Sequence, residues 1–173
     1  MKCFHRGRPQ FRAACMRVGL VLPLLVLAPS ALRAQAERPA LNNAVSTGRI
    51  FGYLQILRLA GVSVESLTSE DVTLILPIDT TFYELPPDHY QRIFSPENRA
   101  LALQYVQAHM IQGKVTLQQL AEGNYRTVAG IEIKAVLGGP GEAATINGCK
   151  VVRADIAGTK GTVHLIAGWL FRP

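Results

Sequence analysis

Cysteine is nearly absent from this sequence, and its positions leave nothing to staple. Cys3 and Cys15 fall within the first 36 residues, and Cys149 stands alone after them. A product that begins near Glu37 therefore has no internal disulfide, and Cys149 reads as a small, partly buried apolar side chain. Acidic residues are missing from residues 1–36, which hold 6 of the 18 Lys and Arg and none of the 12 Asp and Glu. Beyond Arg38 there is no basic run, which argues against a phosphate-binding surface and hence against nucleic acid as a partner. No G-x-S-x-G, G-x-x-x-x-G-K-[ST], H-E-x-x-H or C-x-x-C pattern occurs after residue 36, so no familiar hydrolase, nucleotide or zinc motif is present. A membrane-length apolar run is missing too. The longest, residues 18–32, is 15 residues long and carries Pro23 and Pro29, whereas a spanning helix needs ~20.

What is present at the start is an export signal over residues 1–36. Lys2, Arg6, Arg8, Arg12 and Arg17 precede the apolar run, and Ala34-Gln35-Ala36 follows it as a small-residue cleavage site. Met16 directly precedes Arg17, and a chain begun there keeps a complete signal. Cys15 comes before the apolar run, not at its end, so it is not placed for lipid attachment. The expected product is periplasmic or extracellular and has no stable membrane span. It carries 12 basic and 12 acidic side chains over 137 residues, a length that suits one domain. A chain of that size buries about two-thirds of its unfolded surface and folds without a staple.

Residues 37–41 are expected as a short tail. From residue 42 to 60, Val45, Phe51, Leu54 and Leu57 lie near helical spacing, with Gly61 as a stop. Residues 72–76 form a β-prone apolar run closed by Pro77. Asp79 is placed to cap a short helical turn, and Pro86-Pro87-Asp88 reads as a break. Ser95-Pro96-Glu97 is a helix start, and that helix is predicted to continue to about Ile111. After Gly123 the pattern is that of strands. Ile131, Ile133 and Ala135 alternate with Glu132 and Lys134, and Asn147-Gly148 is a hairpin turn between two apolar runs. Helices first and strands afterwards make one α+β domain.

The histidines after residue 36 are His89, His109 and His164, 20 and 55 positions apart, which is no local metal spacing. His109 lies on the apolar stripe of its helix with Leu101 and Tyr105. His164 sits in a terminal strand with Thr162 and Ile166 on its own face, so covering both faces would bury its ring and require hydrogen-bond partners. His89, beside Pro86-Pro87 and the acids Asp88 and Glu84, is the candidate exposed contact.

Taken in order, four segments resemble the fasciclin domain family. Residues 72–82 resemble its first signature, with Pro77, Asp79 and Phe82 matching and Ile78 and Thr81 departing. Residues 98–113 resemble the helix that ends in the family's Tyr-His pair, with His109 matching and Ala108 where the tyrosine would be. Residues 125–133 are similar to its Thr-apolar-x-Gly turn. Residues 152–173 resemble its second signature, where Asp155 and His164 match while Lys160 and Ala167 depart. The resemblance implies a β-wedge of two packed short sheets with helices, mainly from the N-terminal half, around it. It implies that Pro77, Asp79, Phe82, His109, Asp155 and His164 are structural, that there is no catalytic, cofactor or metal site, and that the role is adhesion or matrix association. The leading expectation is a non-enzymatic domain that binds a surface polymer, an envelope component or a protein partner, as a monomer or a weak homo-oligomer. The alternative is a small exported enzyme or ligand carrier with a dispersed site near His89.

Overall fold

The structure is a computed structural model that describes residues 38–171. The expected export segment, with Met16, Cys3 and Cys15, lies outside the described residues. The helices are α1 (Ala40–Val45), α2 (Phe51–Ala60), α3 (Val64–Ser69), α4 (Asp79–Phe82), α5 (Pro87–Phe94), α6 (Arg99–Ala108) and α7 (Leu117–Glu122), with a 3-10 turn over Pro96–Asn98 leading into α6. The strands are β1 (Val72–Pro77), β2 (Met110–Gln112), β3 (Tyr125–Arg126), β4 (Glu132–Ile133), β5 (Ala135–Val136), β6 (Thr145–Ile146), β7 (Cys149–Ala157) and β8 (Thr162–Ala167).

Six strands form one sheet in the order β2-β1-β8-β7-β6-β5, and β3 pairs with β4 in a second, small sheet. β1 and β8 run parallel, with Ile75 opposite His164; the other neighbours are antiparallel. β1 is buried at all six positions and β8 at five of six, which is why both read as continuous apolar runs in place of alternating ones. Leu74, Leu76, Val163 and Leu165 face the helices and join a core with Tyr53, Ile56, Leu57, Tyr105 and Val106. Ile75 and Ile166 face the other way and pack with Ile111, Leu120, Ile133 and Ile146. Gly161 (φ 72) starts β8 against the Val72 carbonyl oxygen, where a Cβ would collide with that backbone atom.

Several local expectations give way to tertiary structure. Residues 38–41 are no tail: Ala40 and Leu41 are buried, the Ala40 amide donates to Lys160 O and the Thr159 amide donates to Arg38 O. The helix expected over 42–60 is two helices, because the Ser46 and Thr47 hydroxyls donate to the Asn43 and Ala44 carbonyls and end α1. The buried side of α2 is Tyr53, Ile56, Leu57 and Ala60, whereas Val45 and Phe51 are exposed. The helix expected to reach Ile111 stops at Ala108. Met110, Ile111 and Gln112 instead pair with Leu74, Thr73 and Val72, an edge strand that helix periodicity conceals. The break at Pro86-Pro87 starts α5, with Pro87 in its first turn. The alternation over 131–135 holds, but β4 and β5 belong to different sheets. Asn147 fixes that switch: its side chain accepts from the Lys134 amide and donates to Glu132 O. Asn147 (φ 48) and Gly148 (φ 77) are both left-handed, as a two-residue type I′ hairpin requires.

Candidate functional site

The matched signature residues first show where polar chemistry is already committed. β7 has register irregularities on either side of Arg153, and Asp155 lies there at φ 53. Aspartate tolerates that left-handed conformation better than most residues, and a bulge re-aims its groups. The Asp155 amide donates to His164 Nδ1 (3.2 Å), and its carboxylate accepts from the Leu117 amide at the start of α7 (2.9 Å). His164, wholly buried, uses Nε2 on the Val115 carbonyl (3.0 Å). An amide on Nδ1 and a carbonyl on Nε2 assign the neutral ring with its proton on Nε2. Thr73 completes the arrangement, donating to Gly113 O (2.7 Å) and accepting from the Val115 amide (2.8 Å). Residues 113–117 are thus strapped to the sheet by Thr73, His164 and Asp155. Burial holds the His164 pKa below the ordinary histidine value, opposed by the Val115 carbonyl and the Asp155 carboxylate.

Asp79 does comparable work on the other side of the sheet. Its carboxylate does not cap its own short helix α4. It accepts from the Gly52 amide (2.8 Å), in the first turn of α2, while the Asp79 amide donates to Arg49 O (2.8 Å). The N-cap residue of α2, Ile50, offers no side-chain acceptor, so Asp79 satisfies an otherwise orphaned amide from 27 positions away. Sequence spacing assigned the capping role to the wrong helix.

His109 ends α6 fully buried, with Nδ1 on the Tyr105 carbonyl (2.8 Å) and ring contacts to Tyr53 and Trp169 at 6.0 Å each. A carbonyl acceptor makes Nδ1 the donor, so Nε2 carries a lone pair, and among the described residues it has no hydrogen-bond partner. Burial lowers its pKa to about 4, the Tyr105 carbonyl opposing. Pro77, the last residue of β1, and Phe82, packed on Trp169 at a ring distance of 4.6 Å, are buried as well. His89 is half-buried on α5, not in a loop. Among the described residues, no group of three His, Cys, Asp or Glu side chains is placed to hold a metal ion.

Exposed aromatic side chains gather at a concave part of the surface. A cleft of about 530 Å³ opens between α2, α4 and α5, walled by Phe51, Phe82, Tyr83, Tyr90 and Phe94, with Asp79 also lining it. Five of the chain's 12 aromatic residues meet there. Phe82 forms the floor against Gly52, where a Cβ would stand 2.8 Å from its ring. Phe51, Tyr83 and Tyr90 are 68%, 86% and 45% exposed. Tyr90 and Phe94, one turn apart on α5, stack at 4.5 Å. From sequence alone Phe51 reads as part of a core stripe and His89 as the exposed contact, whereas Phe51 lines the cleft and His89 does not. No local pattern marks the lining residues, because the cleft is assembled from residues of three separate helices.

The fold and these sites define a small mixed domain in which His164, Asp155 and Asp79 hold backbone groups, with aromatic surface left over. The comparisons place it. The fasciclin domain model matches residues 50–172, and the chain belongs to the fasciclin domain family. A relative, Protein sll1483 of Synechocystis, is 27% identical over 106 residues, covering 60% of this chain and 57% of that protein. The chain therefore spans little more than half the length of the curated relative it matches. The solved FAS1 domain pair of the insect cell adhesion molecule fasciclin I has the same fold. It is 17% identical with a TM-score of 0.56, over 72% of this chain and 45% of that one. Fasciclin domains are generally adhesion or binding modules and generally not enzymes, and they are typically extracellular or secreted. No helix among the described residues is long and apolar enough to cross a membrane.

Proposed function

We propose that this protein is an exported, non-enzymatic binding domain that attaches to an envelope component or partner protein through the cleft between α2, α4 and α5. The observation that carries the reading is the exposure of Phe51, Tyr83 and Tyr90 around one concavity. Large aromatic side chains left in water around a concave surface are the composition of binding hot spots. The other polar residues of the signature segments are poor rivals, because Asp155 and His164 already hold backbone groups outside the cleft. The residues on which reactive chemistry would be sought first are therefore engaged. Export is supported by the basic, apolar and small-residue segments of residues 1–36.

The test is capture of envelope material by residues 37–173, comparing the unaltered domain with Tyr83→Ala, Tyr90→Ala and His89→Ala. Loss of capture in the two tyrosine variants, with His89→Ala unaffected, is the expected result. Capture that survives both tyrosine substitutions removes the cleft from the account. Loss confined to His89→Ala moves the site to the other part of α5.

A further inference from the structure

The chemistry of the cleft narrows what it takes. Among the described residues, its lining contains no lysine, arginine or histidine, and Asp79 is its one carboxylate. The segment that builds one wall, residues 79–90, carries Asp79, Glu84 and Asp88 and no Lys or Arg. Among the described residues, the Asp79 carboxylate has one hydrogen-bond partner, the Gly52 amide, whereas a carboxylate offers about four acceptor positions. Asp79 is half-buried, so its remaining lone pairs are reachable from the cleft it lines. The nearest arginines in sequence, Arg49, Arg58 and Arg92, are outside the lining.

Ring faces carry negative quadrupole density, and cations sit over them within about 6 Å. Aromatic walls with a carboxylate and no base therefore attract a cation and repel phosphate or carboxylate ligands. The cleft is also longer than a single ammonium group. Phe51, Gln55 and Leu59 line it along α2 at four-residue intervals, a span of about 12 Å at 1.5 Å per residue. A linear occupant fits that length. Arginine and lysine side chains combine an apolar stem, which covers aromatic surface, with a charged head that seeks a carboxylate.

Resting on the assignment of the cleft as the binding surface, we infer that its occupant is an extended segment of a partner protein presenting an arginine or lysine, its stem along the rings of Phe51 and Tyr90 and its cation on Asp79. Binding of this kind weakens with added salt, and it does not depend on the partner's fold.

The test uses the domain of residues 37–173 and arrays of acetylated octapeptides with a central arginine and randomised neutral flanks. Matched arrays carry lysine, citrulline or glutamate at the centre, and a panel of neutral oligosaccharides accompanies them. Arginine or lysine peptides should bind about tenfold more tightly than citrulline peptides, and glutamate peptides not at all. Asp79→Asn keeps an acceptor for the Gly52 amide and removes only the charge, so the fold survives while the arginine preference disappears. Equal binding of arginine and citrulline peptides, an unchanged preference in Asp79→Asn, or binding to no peptide array overturns the inference. Oligosaccharide binding that Tyr83→Ala abolishes overturns the cationic peptide and leaves the cleft as the binding surface. Envelope capture insensitive to Tyr83→Ala and Tyr90→Ala removes both.

Discussion

The strap over residues 113–117 and the aromatic cleft treat their functional groups in opposite ways. In the strap, Thr73, Asp155 and His164 spend their hydrogen-bonding atoms on Gly113, Val115 and Leu117. In the cleft, Phe51, Tyr83 and Tyr90 leave much of their surface in water. The difference teaches how to divide a signature sequence. Polar residues that read as chemical in the chain are structural when each has a backbone partner, and aromatic residues that read as core are functional candidates when they are left exposed. Strap substitutions should therefore act on stability, and cleft substitutions on binding.

Acid should act on the histidine side of the comparison first. His109 and His164 are held neutral by burial, with lowered pKa values, His109 at about 4. In the unfolded chain each takes up a proton near pH 6.5. The stability they confer is therefore complete above pH 6.5 and is lost as pH falls from there toward about 4, because the unfolded state binds more protons. At 1.36 kcal/mol per unit, His109 alone accounts for about 3 kcal/mol, and His164 adds in the same direction. Denaturant titrations at pH 7.5 and pH 4.5 measure this. A stability independent of pH across that window contradicts the buried neutral rings. His164→Ala at pH 7.5 comes next, at about 3 kcal/mol, because it leaves the Asp155 amide and the Val115 carbonyl without partners and opens a void in the second core. Its envelope capture per folded molecule should be unaltered.

The two aspartates sharpen the contrast within the structural class. Asp155→Ala loses a cap and forces alanine to φ 53, about 2 kcal/mol in total. Asp79→Ala loses only the cap of α2, about 1 kcal/mol. Thermal melts of the two variants rank them, and an Asp79→Ala cost above that of Asp155→Ala would show that the carboxylate in the cleft holds more than the Gly52 amide.

The sequence was legible where local and tertiary preferences agree. Residues 72–76 read as a buried strand because β1 has neighbours on both sides and cover on both faces. Asn147-Gly148 read as a hairpin because left-handed backbone at two successive residues selects that pair. Residues 110–112 did not, since three residues cannot display a period and their pairing partner lies nearly 40 positions earlier. Helix α7 went unread although Thr116 and Gln119 form a capping box at its start. The Asp79–Gly52 bond crosses 27 positions, and spacing cannot report which helix a carboxylate caps. The cleft stayed hidden for the same reason: Phe51, Phe82 and Tyr90 lie on three helices, and only the fold brings them together.

The smallest expected change in stability is also the one that tests the division most directly. Tyr83 is 86% exposed, and its backbone amide keeps its bond to Thr80 O whatever its side chain is. Removing the ring takes away little that folding buries, and alanine has the higher helix propensity, so Tyr83→Ala should lie within about 0.5 kcal/mol of the unaltered domain. Its neighbour Phe82, 5% exposed and packed on Trp169, offers no such freedom. Side-by-side melts and envelope capture then give two numbers for Tyr83→Ala, an unmoved midpoint and a lost partner. A lowered midpoint would return Tyr83 to the packing of α4 against α2, and the surface aromatics would no longer need a ligand to explain them.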